Sequence, residues 1–178
     1  MNGFWPELVS LRYDEMIEYR EAGLEDVDEI AQVESDTKRE SDLAEPAIYD
    51  VQRLRSRWEG YLRRIRHPQH AEGPRIVFEA TLNGRMIGFI AGHFSRRYET
   101  EGELQSIHIL KDFQGRGVGA ELLKRLAAWF ITHQRRKICV GIDPASPYKR
   151  FYEKHGARRI NPHWLVWDDI ACVLEEQE

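Results

Sequence analysis

The spacing of apolar and polar positions divides the chain into strand-like and helix-like segments. Strand-like segments are apolar, alternating or β-branched, and helix-like segments place apolar residues three and four positions apart. The strand-like runs span residues 16–20, 75–82, 86–94, 104–110, 138–142, 157–160 and 163–167. The helix-like runs span residues 25–33, 49–66, 120–131 and 148–154. This mixture predicts a protein of the α/β (α+β) class.

Local signals predict how some of these segments connect. Asn83 and Gly84 lie between two apolar strands, and both tolerate the positive φ of a tight hairpin turn. The strand at 104–110 and the strand at 138–142 are joined by a helix, which favours a right-handed parallel crossover. Ser146 followed by Pro147 is a typical helix start, and Gly156 is a typical helix end.

The length of 178 residues suits one domain with a full core. We predict that this domain spans residues 16–168. Residues 1–15 are expected to form an aromatic-rich arm that docks on the domain or on a second subunit, so a homodimer stays open. Residues 169–178 are expected to form a frayed acidic tail.

Composition and charge exclude several classes of protein. The chain is 42% hydrophobic and 31% charged, which argues against disorder. A net charge of -4 argues against a nucleic-acid partner, and we interpret the arginines at 53–66 as a solvated helix face. No apolar run is long enough for a bilayer, so we expect a cytoplasmic protein without a membrane partner. Cys139 and Cys172 lack metal-ligand spacing, and we expect reduced thiols and no metal.

The stretch Gln114-Gly115-Arg116-Gly117-Val118-Gly119 lies between a predicted strand and a predicted helix. Its three glycines leave the main-chain amides uncovered and permit positive φ. The helix that follows turns its positive dipole end towards the loop, and Arg116 adds a full charge. These features predict a phosphate-binding loop.

Two other phosphate motifs need to be compared with this loop. The Walker motif is absent, because no Gly-Lys-Ser/Thr follows. A dinucleotide fingerprint is met by Gly115, Gly117 and Ala120, with Asp143 at the distance of a ribose-binding acid. That fingerprint normally opens a doubly wound domain, whereas about a hundred residues precede it here. We therefore rank an NAD-binding protein third among three hypotheses, and the first two depend on the segment described next.

The segment Phe151-Tyr152-Glu153-Lys154-His155-Gly156-Ala157 closes this strand, loop, helix and strand arrangement. With it, residues 16–168 resemble the GNAT superfamily of acyl-CoA-dependent N-acetyltransferases. Gln114, Gly117 and Gly119 match the superfamily's Q/R-x-x-G-x-G/A signature. The resemblance implies a single-domain fold with a mixed, twisted sheet of six to seven strands and about four helices. In that fold the strands at 104–110 and 138–142 splay apart.

The resemblance also implies that acetyl-CoA is the co-substrate and lies in the gap between those strands. The backbone of Ile107, His108 and Ile109 would pair with the pantetheine. The pyrophosphate would lie on the loop, which comprises Gln114, Gly115, Arg116, Gly117, Val118, Gly119 and Ala120. Relatives commonly place an asparagine six or seven residues before the tyrosine, but this chain has Ser146 and Ala145 there. Ser146 could offer a shorter hydrogen bond, and Asp143 could compensate.

By the same resemblance, Tyr152 would protonate the departing thiolate, and the amide of Ile109 would stabilise the oxyanion. Glu103 would take the amine proton, with His108 as a rival base. Strand alternation predicts that His108 shares a face with Leu104, Ser106 and Leu110 and is packed. The leading hypothesis is transfer of an acetyl group to a primary amine of a small molecule or peptide by direct attack in a ternary complex. The alternative is a non-catalytic acyl-CoA-binding module of the same fold.

Overall fold

The computed structural model describes residues 16–40, 50–65 and 68–175. The strands in these segments are β1 (Ile17–Glu21), β2 (Ala71–Leu82), β3 (Arg85–Ser95), β4 (Gly102–Ile109), β5 (Ile138–Gly141), β6 (Arg158–Asn161) and β7 (Trp164–Trp167). The α-helices are α1 (Val27–Arg39), α2 (Val51–Leu62), α3 (Val118–Thr132) and α4 (Lys149–Lys154). The predicted fold class is confirmed. The predicted arm at residues 1–15 lies outside the described residues.

The seven strands form one mixed sheet in the order β1-β2-β3-β4-β5-β7-β6. β4 and β5 run parallel, and the other neighbouring strands run antiparallel. β2 and β3 turn at Asn83 and Gly84, whose φ angles of 51° and 76° confirm the predicted hairpin. Its turn twists in the same sense as the strands, which keeps the hairpin in register.

β4 and β5 separate partway along their length. Their pairing runs from Gly102 opposite Ile138 to Leu104 opposite Val140 and then stops. β4 continues to Ile109, so the β5-facing edge of residues 105–109 has no partner strand in the described part of the chain. The splay implied by the resemblance is therefore present, and it opens a gap in the middle of the sheet.

Helices cover both faces of the sheet. α3 packs on one face, where the buried apolar residues include Ile90, Leu104, Leu122, Leu126 and Phe130. α1 and α2 pack on the other face, where they include Ile30, Val33, Trp58, Phe89 and Ala91. Burying each helix's apolar stripe against the sheet supplies most of the stability of such short helices.

A β-bulge at Gln105 determines which way the side chains of β4 point. Leu104 lies opposite Gly92 and Ser106 lies opposite Ala91, so Gln105 is an extra residue in β4. Leu104 packs on the α3 face, whereas His108 lies opposite Phe89 on the α1 and α2 face. The prediction that His108 shares the face of Leu104 is wrong, because the extra residue reverses the alternation beyond it.

The chain after β7 packs against the domain. Residues Ile170–Leu174 form a 3₁₀ turn whose Ile170 and Val173 side chains are buried in the same core as α3. The Asp169 carboxylate begins this turn by accepting the amide N–H of Ala171 at 2.9 Å. The prediction of a frayed tail is wrong for this turn, since apolar residues three positions apart give it one buried side.

Both cysteines are free thiols, as predicted. None of the helices in the described ranges combines the length and the apolar character that crossing a bilayer requires. Those ranges also contain no group of three or more His, Cys, Asp or Glu side chains placed to hold a metal ion.

Candidate active site in the sheet gap

A cavity of about 590 Å³ opens where β4 and β5 separate. Residues 107–109 of β4 form one wall, and Gly141 and Ile142 lie across the gap from them. The glycine loop before α3 and helix α4 supply further walls. The predicted cofactor residues that border this cavity are Ile107, His108, Ile109, Gln114, Gly115, Gly117, Gly119, Ala120 and Ser146. Arg116 and Val118 are not among its lining residues.

The glycine loop presents bare main chain at one end of the cavity. Gly115 and Gly117 have φ angles of 72° and 84°, and a Cβ at either position would meet no atom within 4 Å. Gly117 is the residue directly before α3, which begins at Val118, and Val118 is buried in the core. The first amides of α3 have no intrahelical partner and lie beside glycines, which gives the loop the character of an anion site.

The Gln114 side chain ties this loop to the end of β4. Its Nε2 donates a hydrogen bond to the carbonyl oxygen of Ile109 at 2.9 Å. This bond fixes the loop against the strand, and it occupies one of the main-chain groups that we predicted would meet the pantetheine. Arg116 is exposed, with its guanidinium carbon 5.7 Å from the centre of the Phe113 ring.

Tyr152 lies on α4 and borders the cavity. Its ring is buried with 7% exposure and packs edge-on against Phe151 and Trp167. A buried tyrosine hydroxyl usually finds a hydrogen-bond partner, yet none of the hydrogen bonds among the described residues involves this one. Burial raises the pKa of Tyr152 above its usual value, so the hydroxyl stays protonated and can donate.

The turn before α4 is built differently from the prediction. The Ser146 hydroxyl accepts the amide N–H of Tyr148 at 3.2 Å, and the Asp143 carboxylate accepts that of Ala145 at 2.8 Å. α4 begins only at Lys149, so the prediction that Ser146 caps the helix is wrong. The polar side chains stabilise a preceding turn instead. Gly156, with φ of 91°, ends the helix as predicted.

Glu103 lies outside the lining of the cavity. It is opposite His93 in the sheet and has only 6% exposure. Its carboxylate accepts hydrogen bonds from Arg97 at 3.1 Å and from the Ser95 hydroxyl at 3.4 Å. Burial raises the pKa of Glu103 above its ordinary value, although Arg97 and Ser95 act in the opposite direction.

His108 borders the cavity and contacts the last turns of α1. Its Nδ1 lies 2.7 Å from the Thr37 hydroxyl, and its Nε2 lies 3.8 Å from the Glu34 carboxylate. Burial lowers the pKa of His108 to about 4, with Glu34 opposing that shift. Thr37 and Lys38 also border the cavity from the last turn of α1, whereas the predicted helix ended at residue 33.

Glu34 is a buried charge with several partners. It has 1% exposure and accepts the indole N–H of Trp58 at 2.5 Å. Lys38 lies 2.6 Å from its other oxygen, and Arg57 also binds it. Burial alone would raise the pKa of Glu34, but the charges of His108, Arg57 and Lys38 outweigh it and hold the pKa at about 2. Glu34 is therefore ionised at neutral pH.

With the fold and the cavity in place, the chain can be compared with known proteins. The model of the acetyltransferase (GNAT) family matches residues 27–157, which is most of the chain. The chain belongs to the GNAT acetyltransferase family. Among curated proteins, none matches it in sequence.

Several solved structures share the fold of this GNAT domain at low sequence identity. A PaiA N-acetyltransferase from Thermoplasma acidophilum in complex with coenzyme A is 16% identical, with a TM-score of 0.70 over 86% of this chain and 98% of its own. A GNAT acetyltransferase from Brucella melitensis in complex with acetyl-CoA is 18% identical, with a TM-score of 0.58 over 84% and 86%. An aminoglycoside acetyltransferase from an uncultured soil metagenomic sample, in complex with sisomicin, is 13% identical, with a TM-score of 0.57 over 80% and 88%.

Membership of the GNAT family supports acyl transfer as the general activity and an acyl-CoA as the donor. The structure of this GNAT chain brings the glycine loop, the free edge of β4 and Tyr152 to one cavity. It places Glu103 apart from them and adds Thr37 and Lys38 from α1.

Proposed function

We propose that this protein is an N-acetyltransferase that transfers an acetyl group from acetyl-CoA to a primary amine by direct attack in a ternary complex. The observation that carries the proposal is the cavity between β4 and β5. The glycine loop, with its character of an anion site, forms one end of this cavity. Tyr152 of α4 also borders it, with a buried ring and a hydroxyl that has no hydrogen-bond partner among the described residues.

The cavity offers groups suited to binding and to leaving-group protonation. The diphosphate would lie on residues 114–120, where amides at the start of α3 and uncovered glycines favour an anion. The pantetheine would run along residues 107–109, which lack a partner strand on that side. This path leads the thioester towards Tyr152. Its hydroxyl would donate a proton to the thiolate as the carbon–sulfur bond breaks.

Direct attack fits the absence of a cysteine among the described residues that line the cavity. Cys139 is fully buried in β5, and burial raises the pKa of its thiol to about 11. Cys172 packs beside Gly156, away from the lining. An acyl-enzyme intermediate on either thiol is therefore disfavoured.

The test of the proposal is the Tyr152→Phe variant. A screen of thiol release from acetyl-CoA over polyamines, aminoglycosides, amino acids and peptides first identifies an accepted amine. With that amine, we expect kcat to fall by about 10²- to 10⁴-fold, the usual contribution of general acid catalysis. Acetyl-CoA affinity should stay unchanged, because the variant keeps the ring and its packing.

Tyr98→Phe is the matched control, because Tyr98 is 43% exposed and lies outside the cavity lining. It should keep the wild-type rate. Wild-type turnover by Tyr152→Phe with every accepted amine would remove Tyr152 from the mechanism. Acetyl-CoA binding without turnover of any amine by the wild-type protein would favour the non-catalytic alternative.

The predicted base, Glu103, remains a proposal to be tested by Glu103→Gln in the same assay. Its carboxylate is held by Arg97 and Ser95 at the edge of a buried polar cluster that includes His93. From that position it would have to act through water, since it does not line the cavity.

A further inference from the structure

The structure contains a second candidate proton acceptor that, unlike Glu103, lies on the cavity. The His108 side chain keeps 17% exposure, and His108 lines the cavity together with Thr37, which its ring contacts. It is on the sheet face opposite α3, because the bulge at Gln105 turns it there. A proton acceptor must be able to reach the nitrogen that loses the proton, so this position is the first requirement.

The hydrogen bonds of Thr37 favour one tautomer of His108. The Thr37 hydroxyl has one proton, and it donates that proton to the carbonyl oxygen of Glu34 at 3.0 Å. With that proton on the Glu34 carbonyl, the 2.7 Å contact between Thr37 and His108 Nδ1 is a bond that Nδ1–H donates to the hydroxyl oxygen. In this arrangement the neutral ring carries its proton on Nδ1 and its lone pair on Nε2.

Glu34 is placed to stabilise a proton that arrives on Nε2. Its carboxylate oxygen lies 3.8 Å from Nε2, which is a contact that favours the imidazolium form. Arg57 and Trp58 hold that carboxylate from α2, and Lys38 holds it from α1. The carboxylate therefore cannot rotate away without losing buried hydrogen bonds.

We propose that His108 takes the proton from the attacking amine, and that Thr37 and Glu34 are positioning residues for its ring. This inference rests on the proposed acetyl transfer. In the step, the amine nitrogen bonds to the thioester carbonyl carbon and gives one proton to Nε2 of His108. The carbon–sulfur bond breaks and the thiolate receives one proton from Tyr152. Solvent then returns a proton from His108 to Tyr152, so charge and atoms balance.

The charges around His108 determine its behaviour with pH. Glu34 and Lys38 face the His108 ring from α1, and Arg57 faces it from α2. The Phe89 ring of β3 packs beside it, with the two ring centres 5.3 Å apart. The two cations and burial favour the neutral ring, and Glu34 alone opposes them. His108 therefore enters the reaction unprotonated at neutral pH, as a proton acceptor must.

The first experiment reads the tautomer without any acceptor amine. Long-range ¹H–¹⁵N correlation spectra distinguish a ring protonated on Nδ1 from one protonated on Nε2. We expect the Nδ1–H form in the wild type and in Thr37→Ser, and loss of that preference in Thr37→Val. An Nε2–H ring in the wild-type protein would overturn the inference.

The second experiment measures thiol release from acetyl-CoA with spermidine, kanamycin, lysine and a peptide with a free N-terminus. With the best acceptor, His108→Ala should lower kcat/KM by about 10²- to 10⁴-fold. The difference in kcat/KM between His108→Ala and the wild type should become smaller as pH rises, because hydroxide replaces the missing base. Added imidazole should restore part of the variant's rate. A structural role would give a loss that neither pH nor imidazole relieves.

Matched variants separate failure of this inference from failure of the proposed function. His133→Ala removes an exposed histidine at the end of α3, outside the cavity lining, and should keep the wild-type rate. Glu103→Gln should be less damaging than His108→Ala, and the reverse order would overturn the inference. A wild-type protein that neither binds acetyl-CoA nor turns over would instead overturn the proposed function.

Discussion

Gly119→Ala is a substitution for which this structure predicts opposite effects on stability and on ligand binding. Gly119 is the second residue of α3, it borders the cavity, and its φ lies outside the left-handed region. An added Cβ would lie 3.4 Å from Cε2 of Phe151, at ordinary contact distance. The methyl group therefore fits the unliganded protein without strain.

The two effects can be estimated separately. Alanine exceeds glycine in helix propensity by up to about 1 kcal/mol, and part of that gain is expected in a first turn. The free energy of unfolding should therefore be unchanged or slightly raised. Bound coenzyme would lose one close amide contact with its diphosphate, and a hydrogen bond to a charged group is worth about 1.5–3 kcal/mol. Since about 1.4 kcal/mol is a factor of ten, affinity should fall by about 10- to 100-fold.

Calorimetric titration with coenzyme A and urea unfolding measure these two quantities. Gly84→Ala is the control, because Gly84 lies in the β2–β3 turn with φ of 76° and with no atom within 4 Å of an added Cβ. That control should lose about 1–2 kcal/mol of stability, the cost of a left-handed residue, and bind coenzyme A normally. A Gly119→Ala protein that binds coenzyme A as tightly as wild type would refute the placement of the diphosphate.

Three further predictions concern the fold. Gly102→Ala should lower the free energy of unfolding in urea by about 1–3 kcal/mol or more. The added Cβ would lie 2.9 Å from Ile138 and would also clash with Phe130, so a variant as stable as the wild type would contradict this packing. Ile170→Ala should cost about 2–5 kcal/mol, whereas a frayed tail would make it neutral. Burial lowers the pKa of His93 to about 3 in the folded protein. Below pH 6.5 the unfolded chain therefore binds a proton at His93 that the folded chain does not bind. Between pH 7 and pH 5 the wild type should therefore lose roughly 2 kcal/mol more stability than His93→Gln, and equal losses would contradict this.

Local patterns were sufficient for most of the fold. The hairpin at residues 83 and 84 and the crossover through α3 depend on turn chemistry and on periodicity within one segment. Both are properties of neighbouring residues, so the sequence shows them directly. The glycine loop and Tyr152 became candidates for the same reason, since each lies within a short motif.

Features that depend on partners far along the chain could not be read from local patterns. The bulge at Gln105 exists only because β4 pairs with β3 across it, and it decides which face His108 occupies. The contact of His108 with Thr37 joins residues 71 positions apart, and it requires α1 to extend beyond the predicted end at residue 33. The sequence therefore identified His108 as a rival base but not its surroundings.

Buried charge is a second limit of sequence reasoning. Glutamate is usually a surface residue, yet Glu34 and Glu103 are buried. Each is buried because a basic side chain from another element binds its carboxylate. α2 illustrates the point, since Arg57 binds Glu34 although the helix was interpreted as having a solvated arginine face.

The measurement that tests the central claim most directly is a crystal structure of the protein grown with acetyl-CoA. We expect the diphosphate against residues 114–120, the pantetheine along residues 107–109, and the thioester sulfur within hydrogen-bonding reach of the Tyr152 hydroxyl. Acetyl-CoA bound elsewhere, or a β4–β5 gap that closes and leaves no room for it, would contradict the account.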